Sequence, residues 1–171
     1  MTSERDLRPS FTAALLIALA IIVLDQFTKV IATRALSYGV PLPVFPSFNL
    51  TLLHNTGAAF SLLASAPGWQ RWLFSGLAAA ASLYIVLLLG GASVVGWVYR
   101  GGLTLVLGGA LGNLLDRLRL GYVVDFIQVF YGRWYFPAFN VADSAISVGA
   151  VLLIYASLFQ STAAAASHVD R

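Results

Sequence analysis

Long apolar stretches alternate with shorter polar segments along the chain, and the apolar stretches predict membrane-spanning helices. A span needs about 20 predominantly apolar residues. The third stretch is short and reaches this length only if the Arg100 side chain extends to the membrane interface. The four predicted spans cover residues 11–31, 72–95, 97–116 and 139–160. We therefore expect an all-α membrane protein, a four-transmembrane-helix bundle that forms a single domain over residues 1–171.

The two longer connecting segments differ from ordinary linkers. Residues 37–68 contain several prolines and a strand-like stretch at 48–53, which predicts a small β region between spans one and two. Residues 117–138 are dense in Tyr, Phe and Trp, which favour the headgroup region of a membrane. We expect both segments to lie on the membrane surface, the second as an aromatic anchor.

Composition narrows the class of protein further. The chain is 59% hydrophobic and 10% charged, with a mean hydropathy of +0.83, whereas a soluble domain carries about a quarter charged residues. The absence of cysteine excludes disulfides, a thiol nucleophile and thiolate metal sites. The net charge of +3 is spread along the chain, so we expect no nucleic-acid partner.

The distribution of basic residues does not decide which side of the membrane is cytoplasmic. Four spans place both termini on one side. That side, with the loop near residue 100, carries Arg5, Arg8, Arg100 and Arg171. The opposite side carries Lys29, Arg34, Arg71, Arg117, Arg119 and Arg133. Taken alone, this count opposes cytoplasmic termini, because cytoplasmic loops normally hold the excess of Lys and Arg.

The unusual polar residues converge at one end of the predicted bundle. Asp25 lies late in span one, Asp125 in the second connecting segment, and Asp143 near the start of span four. A charge at membrane depth costs roughly 2.5–3.5 kcal/mol, so such residues are functional candidates. Two carboxylates in one low-dielectric site share a proton, as in aspartic proteases, and supply a general base together with a general acid.

Other interpretations of these polar residues remain open at the level of sequence. The two histidines, His54 and His168, are isolated, so we expect no zinc site. A proton relay in a small transporter or channel would string carboxylates across the membrane, whereas these gather at one face. Asp116 could form only a local ion pair with Arg117 or Arg119. Asp25 and Lys29, four residues apart, could form only a pair within their helix.

Five segments give the chain a resemblance to a known family. They are LDQFTK at 24–29, NTGAAFS at 55–61, GNLLDR at 112–117, VDF at 124–126 and FPAFNVADS at 136–144. In this order they resemble the motifs of the lipoprotein signal peptidases (signal peptidase II), which are small four-span bacterial aspartyl proteases. Residues before Asp25 and after about residue 160 match only as apolar spans.

The resemblance implies both an activity and a set of site residues. The family removes the signal peptide from prolipoproteins, cutting just before a diacylglyceryl-modified cysteine. By motif, the catalytic pair falls on Asp125 and Asp143. The residues expected to orient or support the site are Asn55, Asn113, Arg117, Asn140, Asp25 and Lys29.

The resemblance also implies where the protein acts. It predicts the bacterial inner membrane, with cytoplasmic termini and the active site and β region at the extracytoplasmic face. The expected partners are prolipoprotein signal peptides carrying the diacylglyceryl cysteine, and membrane lipid. We expect the enzyme to act as a monomer, with no metal and no cofactor.

Overall fold

The computed structural model describes residues 10–57, 68–91 and 96–169. Within these ranges the chain forms four helices and four strands. The helices are α1 (Phe11–Ala35), α2 (Trp69–Gly90), α3 (Trp97–Arg119) and α4 (Val141–Val169). The strands are β1 (Leu42–Phe45), β2 (Phe48–Asn55), β3 (Val123–Tyr131) and β4 (Trp134–Tyr135). Each helix overlaps one of the predicted spans.

Three helices of the described chain are long and apolar enough to cross a membrane. They are α1, α2 and the Val141–Phe159 part of α4, judged by length and composition. Helices of this length and composition are typical of a membrane protein. The second helix begins and ends earlier than the predicted span 72–95, because the chain at Gly91 is extended. Residues 92–95 of that span lie outside the described residues.

Helix α3 is more polar because it lies among the other three helices rather than against lipid. It packs against α1, α2 and α4, and its buried residues include Arg100, Thr104, Asn113 and Asp116. The expectation that Arg100 reaches the interface is wrong. Its guanidinium is buried and donates to the Leu89 carbonyl at 3.0 Å, because the last carbonyls of α2 have no partner within their own helix.

Small residues allow these helices to approach closely. A Cβ placed on Gly108 would lie 2.8 Å from the Ile21 Cβ, and one on Gly149 would lie 2.7 Å from the Gly102 carbonyl oxygen. Interfaces between membrane helices depend on such small residues, since lipid gives no hydrophobic drive for helices to associate. The apolar core beside these contacts is formed by Ala14, Ala18, Ile85, Leu89, Leu103 and Leu107.

Both connecting segments contribute to one antiparallel sheet, in the order β1-β2-β3-β4. The β region predicted between spans one and two is confirmed as β1 and β2, and the sheet continues into the second connecting segment, for which only an aromatic anchor was predicted. The aromatic segment supplies β3 and β4, because its β-branched and aromatic residues fit a half-buried pleated surface as well as a membrane interface. In the β2–β3 register, Leu53 is opposite Asp125.

A β-bulge interrupts β3 next to Asp125. The backbone N–H groups of Phe126 and Ile127 both donate to the Phe139 carbonyl, at 3.1 and 2.9 Å. Two consecutive residues opposite one acceptor mark a bulge, which shifts the alternation of side chains by one position. The bulge also ties β3 to the segment that leads into α4, so it brings Asp125 close to the start of that helix.

Candidate active site

Asn140 connects the two aspartates at the centre of the candidate site. Its side-chain Nδ2 donates to the Asp125 Oδ1 at 2.7 Å. Its backbone N–H donates to the Asp143 Oδ2 at 3.3 Å, and its own Oδ1 accepts from the Asp143 N–H at 2.8 Å. Asn140 is fully buried, so a single rigid residue holds both carboxylates in place.

The contacts of Asp143 form a capping box at the start of α4. Asn140 is the N-cap and Asp143 is the third helical residue, and each side chain bonds the backbone N–H of the other. Asn is among the preferred N-cap residues because its side-chain oxygen accepts from a helix N–H that has no other partner. Local helix chemistry therefore fixes the Asp143 carboxylate at the positive end of the helix dipole.

Asn113 provides the link between Asp143 and the interior of the bundle. Its Nδ2 donates to the Asp143 Oδ1 at 2.7 Å. Its Oδ1 accepts from the Lys29 Nζ at 2.9 Å and from the Asn140 Nδ2 at 3.3 Å. Because these donors hold the amide oxygen, the amide nitrogen is left facing Asp143.

Lys29 lies in a buried ionic cluster behind the aspartate pair. Its Nζ is 2.8 Å from the Asp25 Oδ2 and 2.9 Å from the Asp116 Oδ2, and all three side chains are at most 3% exposed. Asp25 also accepts from the Ala142 N–H at 2.9 Å, next to Asp143 in α4. Asp116 accepts from the Val124 N–H at 3.1 Å, next to Asp125 in β3. The cluster therefore fixes the backbone beside each candidate aspartate.

Asn55 and Arg117 lie at the open side of the pair. The Asn55 Nδ2 donates to the Asp125 Oδ2 at 3.2 Å, and its Oδ1 accepts from the Gly57 N–H at 3.0 Å. The Arg117 guanidinium donates to the Gly57 carbonyl at 3.2 Å and stands 5.6 Å from the centre of the Phe74 ring. Asn55 and Arg117 thus hold the turn after β2 against the aspartates.

Burial governs the electrostatics of Asp125. Burial is the largest cause, the neighbouring Asp143 carboxylate adds to it, and the net result is a pKa of Asp125 that is raised from 3.8 to about 7. Hydrogen bonds from Asn55 and Asn140 and the charge of Lys29 act in the opposite direction. At neutral pH, Asp125 is therefore close to half protonated. Burial also lowers the pKa of His54, whose ring stacks on Tyr122 at 4.0 Å.

Two cavities meet at the pair. One, of about 560 Å³, is mainly apolar and is lined by Asp143, by Ile146 and Val148 of α4, and by Phe139. The other, of about 570 Å³, lies on the side of the sheet and includes Asp125 in its lining. Asn55 and residues 136–138 line both cavities. A chain that occupied both would pass directly over the two carboxylates.

The structure brings together all the residues that the sequence proposed for the site. Hydrogen bonds and ion pairs connect these residues into one network, which consists of Asp125, Asp143, Asn55, Asn113, Arg117, Asn140, Asp25 and Lys29. The predicted Asp25–Lys29 pair is confirmed as a contact, although Lys29 also reaches two residues of α3.

The alternative of an ion pair between Asp116 and Arg117 or Arg119 is wrong. In the described part of the chain Asp116 pairs with Lys29, since α1 and α3 face each other across the buried cluster.

Gln26 is a network residue that the motifs did not single out. Its Nε2 donates to the Asp116 Oδ1 at 2.8 Å, and lies 3.2 Å from the Asp25 Oδ2 and 3.3 Å from the Gly112 carbonyl oxygen. The available signal was a polar side chain directly after Asp25 in an otherwise apolar stretch.

Comparison with known proteins gives the family of the chain. Residues 17–159 match the signal peptidase II family. The lipoprotein signal peptidase of Acinetobacter baylyi is 51% identical over 138 residues, which are 81% of this chain and 77% of the relative. That of Teredinibacter turnerae is 51% identical over 143 residues, which are 84% of this chain and 85% of the relative.

Solved structures agree with the sequence comparison. A bacterial membrane enzyme determined by the in meso method at 2.3 Å resolution superposes with a TM-score of 0.79 and is 30% identical. The alignment covers 90% of this chain and 93% of that one. A second, determined at 1.9 Å, gives a TM-score of 0.76 and 32% identity over 89% of this chain and 97% of that chain.

The apolar helices and the family match define the chain as an aspartic peptidase of the membrane. The chain therefore belongs to the signal peptidase II family.

Proposed function

We propose that Asp125 and Asp143 are the catalytic pair with which this enzyme acts on prolipoproteins. Members of its family remove signal peptides from prolipoproteins, and this chain does the same. The observation that carries the proposal is the bridge made by Asn140, which bonds Asp125 at 2.7 Å and forms the capping box with Asp143. Two carboxylates that are held by one buried residue, and of which one raises the pKa of the other, support shared-proton catalysis.

The two aspartates have different roles. Asp125 is 2% exposed, lies in a strand, and carries the shared proton at rest. Asp143 lies at a helix N-terminus, where negative charge is stabilised, and acts as the base. It takes a proton from water, whose oxygen attacks the scissile carbonyl, while Asp125 donates its proton to the carbonyl oxygen. When the resulting gem-diol collapses, the C–N bond breaks, the proton held by Asp143 passes to the departing amine, and one hydroxyl returns its proton to Asp125 as the new carbonyl forms.

The remaining site residues position the pair and the substrate. Asn113 holds Asp143, Asn55 holds Asp125, and Arg117 fixes the turn at Gly57. Asp25 and Lys29 support the site from within the bundle, through Ala142 and Asn113. Lys29 already supplies a positive charge behind the pair, so the mechanism uses no metal.

All four helices cross the bacterial inner membrane in this proposal, with cytoplasmic termini and the dyad at the extracytoplasmic face. Helix α3 spans as an interior helix, since its polar side chains bond to neighbouring helices instead of facing lipid. The enzyme acts as a monomer. The apolar cavity beside α4 receives the diacylglyceryl group and the end of the signal peptide by lateral diffusion from the membrane.

Cleavage of a synthetic peptide with a diacylglyceryl cysteine tests this proposal. We expect Asp125→Asn and Asp143→Asn each to lower kcat at least about 10⁴-fold, because Asn can neither accept nor donate the catalytic proton. Asp116→Asn makes the same chemical change at a carboxylate outside the pair, so it is the matched control and should lower the rate much less. Either aspartate variant retaining more than about a tenth of the wild-type rate, a barrier change of only about 1.4 kcal/mol, would refute the dyad.

The same assay tests the role of lipid. An unlipidated peptide of identical sequence should be cleaved far more slowly, because each buried methylene of an acyl chain contributes roughly 0.8 kcal/mol to membrane binding. EDTA should leave the rate unchanged. Equal rates on the two peptides, or inhibition by EDTA that added metal reverses, would contradict the proposal.

A further inference from the structure

The cavity on the side of the sheet has a lining unlike that of the membrane-side cavity. Its wall includes the polar side chains of His54, Thr56 and Gln128, whereas Ile146 and Val148 of α4 line the other cavity. The two cavities share Asn55 and meet at the aspartate pair. A peptide cut at this pair therefore has the residues on its two sides in chemically different surroundings.

The substrate has the same asymmetry. The apolar signal peptide before the cut belongs in the membrane, and so do the acyl chains on the cysteine directly after the cut. The mature chain beyond that cysteine leaves for water. We propose, on the basis of the proposed function, that the sheet-side groove binds the first residues of the mature chain after the lipidated cysteine, as an extended and uncharged polar segment, and that Gln128 determines this specificity.

Gln128 lies in the groove because of the bulge in β3. Without the bulge, Asp125 and Gln128 would lie on opposite faces of the strand, since they are three residues apart. At the bulge, the N–H groups of Phe126 and Ile127 both donate to the Phe139 carbonyl, which shifts the alternation of side chains between the two faces of β3 by one residue. Asp125 and Gln128 therefore line the same groove. The bulge therefore places a polar side chain on the same wall as the candidate acid.

Thr51 fixes the orientation of the Gln128 amide. The Thr51 hydroxyl donates to the Gln128 Oε1 at 2.8 Å. The amide oxygen is thus occupied, and the Nε2 has no hydrogen-bond partner among the residues that the structure describes. An oriented amide nitrogen donates to a peptide carbonyl or to a polar side chain, which is what an extended segment lying across β3 offers.

Other members of the groove wall are held rigidly. The His54 ring lies between the rings of Tyr122 and Tyr38, with centre-to-centre distances of 4.0 and 4.8 Å.

The groove has no cationic lining. Among the lining residues that the structure describes there is no Lys or Arg, while Asp125 contributes a carboxylate. The groove therefore offers hydrogen bonds rather than a cationic surface, which fits an uncharged polar segment better than an acidic one.

Two diacylated substrates separate this inference from the proposed function. The long substrate continues for several Ser and Gly residues after the lipidated cysteine, and the short substrate ends at the amide of that cysteine. For the wild-type enzyme we expect a larger kcat/KM on the long substrate. Gln128→Leu should lower the long-to-short ratio about three- to tenfold, the effect expected for one lost hydrogen bond. Thr51→Val, which retains Gln128 but releases its amide, should lower the same ratio in part.

Two variants provide matched controls. Within the described residues, the Thr28 hydroxyl bonds only to the Leu24 and Asp25 carbonyls of its own helix, and Thr28→Val removes it. Val129→Ala truncates the side chain next to Gln128 in β3. Both should keep the wild-type ratio. A ratio of one for the wild type, or a ratio that Gln128→Leu leaves unchanged, would overturn the inference while cleavage itself upheld the proposed function. No cleavage of either substrate by the wild type would instead refute the proposed function.

Discussion

A single lysine balances two buried carboxylates at the residue scale. Lys29 contacts Asp25 and Asp116 within 2.9 Å, and all three side chains are nearly inaccessible to solvent. Pairs of this kind contribute little net stability when intact, because desolvation offsets their attraction. Removing one partner is costly, because the remaining charge stays buried without compensation. The lysine is therefore more sensitive to substitution than either acid.

We predict that Lys29→Met destabilises the protein by about 3–5 kcal/mol, because it leaves two carboxylates facing each other in the interior. Asp116→Asn should cost less, roughly 1–3 kcal/mol, since the Asp25–Lys29 pair survives and the amide oxygen can still accept a hydrogen bond. Thermal unfolding in detergent measures both changes. If Asp116→Asn were the more damaging substitution, the lysine would not be the residue that balances the cluster.

The raised pKa of Asp125 predicts how cleavage depends on pH. The acid must be protonated when substrate binds, and its pKa is about 7. We therefore expect kcat/KM on the diacylated peptide to fall as pH rises above about 7. Activity that stays constant from pH 6 to pH 9 would mean that Asp125 is not the acid.

The same pKa predicts a pH-dependent effect of Asp125 on stability. The folded state binds this proton more tightly than the unfolded state, whose pKa is near 3.8. The stabilising contribution of the proton is complete below about 3.8 and is lost as pH rises toward 7. The melting temperature of Asp125→Asn relative to wild type should therefore rise between pH 4 and pH 7 and level off above. Asp116→Asn is the control, and an Asp125→Asn difference that does not change with pH would contradict the assignment.

Helix α4 shows how much of the site lies in local sequence. The motif at 136–144 contains an Asn followed three residues later by an Asp, and this spacing is sufficient for the capping box that holds Asp143. The position of Asp143 therefore follows from local sequence, whereas Asp125 was predicted only from the motif at 124–126. The partner of Asp116 could not be predicted, because it depends on which helix packs against α3. The strand β3 was also missed, since its apolar and aromatic residues satisfy a membrane interface and a sheet equally well.

The contact between α3 and α4 makes a prediction at the scale of elements. A Cβ on Gly109 would collide with the backbone of Ala142, which carries the N–H bonded to Asp25 and precedes Asp143. Gly109→Ala should therefore shift the start of α4, destabilise the protein by about 1–3 kcal/mol and reduce cleavage strongly. Gly76→Ala in α2 is the matched control, since a Cβ there meets nothing within 4 Å. Full activity of Gly109→Ala would show that the spacing of the two helices does not control the site.

At the scale of the whole molecule, the excess of basic residues on the proposed outer side has a structural explanation. Lys29 is enclosed by carboxylates, Arg117 is held against the turn at Gly57, and Arg71 donates to the Leu118 carbonyl at 2.8 Å. Basic side chains that bond within the protein are poor indicators of which loops remain in the cytoplasm. A simple count of Lys and Arg treats these residues as loop charges, so it opposes the orientation that the family resemblance implies.

The proposed orientation predicts which positions an impermeant thiol reagent reaches in intact cells. Because the chain contains no cysteine, single substitutions report without background. Cysteine at Tyr131, an 83% exposed position of the sheet, should be labelled. Cysteines at Ser10, the N-cap of α1, and at Trp97, the first residue of α3, should be shielded until the cells are permeabilised. Labelling of Trp97→Cys but not of Ser10→Cys in intact cells would show that α1 to α3 do not cross as proposed. Labelling of both, with Tyr131→Cys shielded, would reverse the orientation and place the aspartate pair in the cytoplasm.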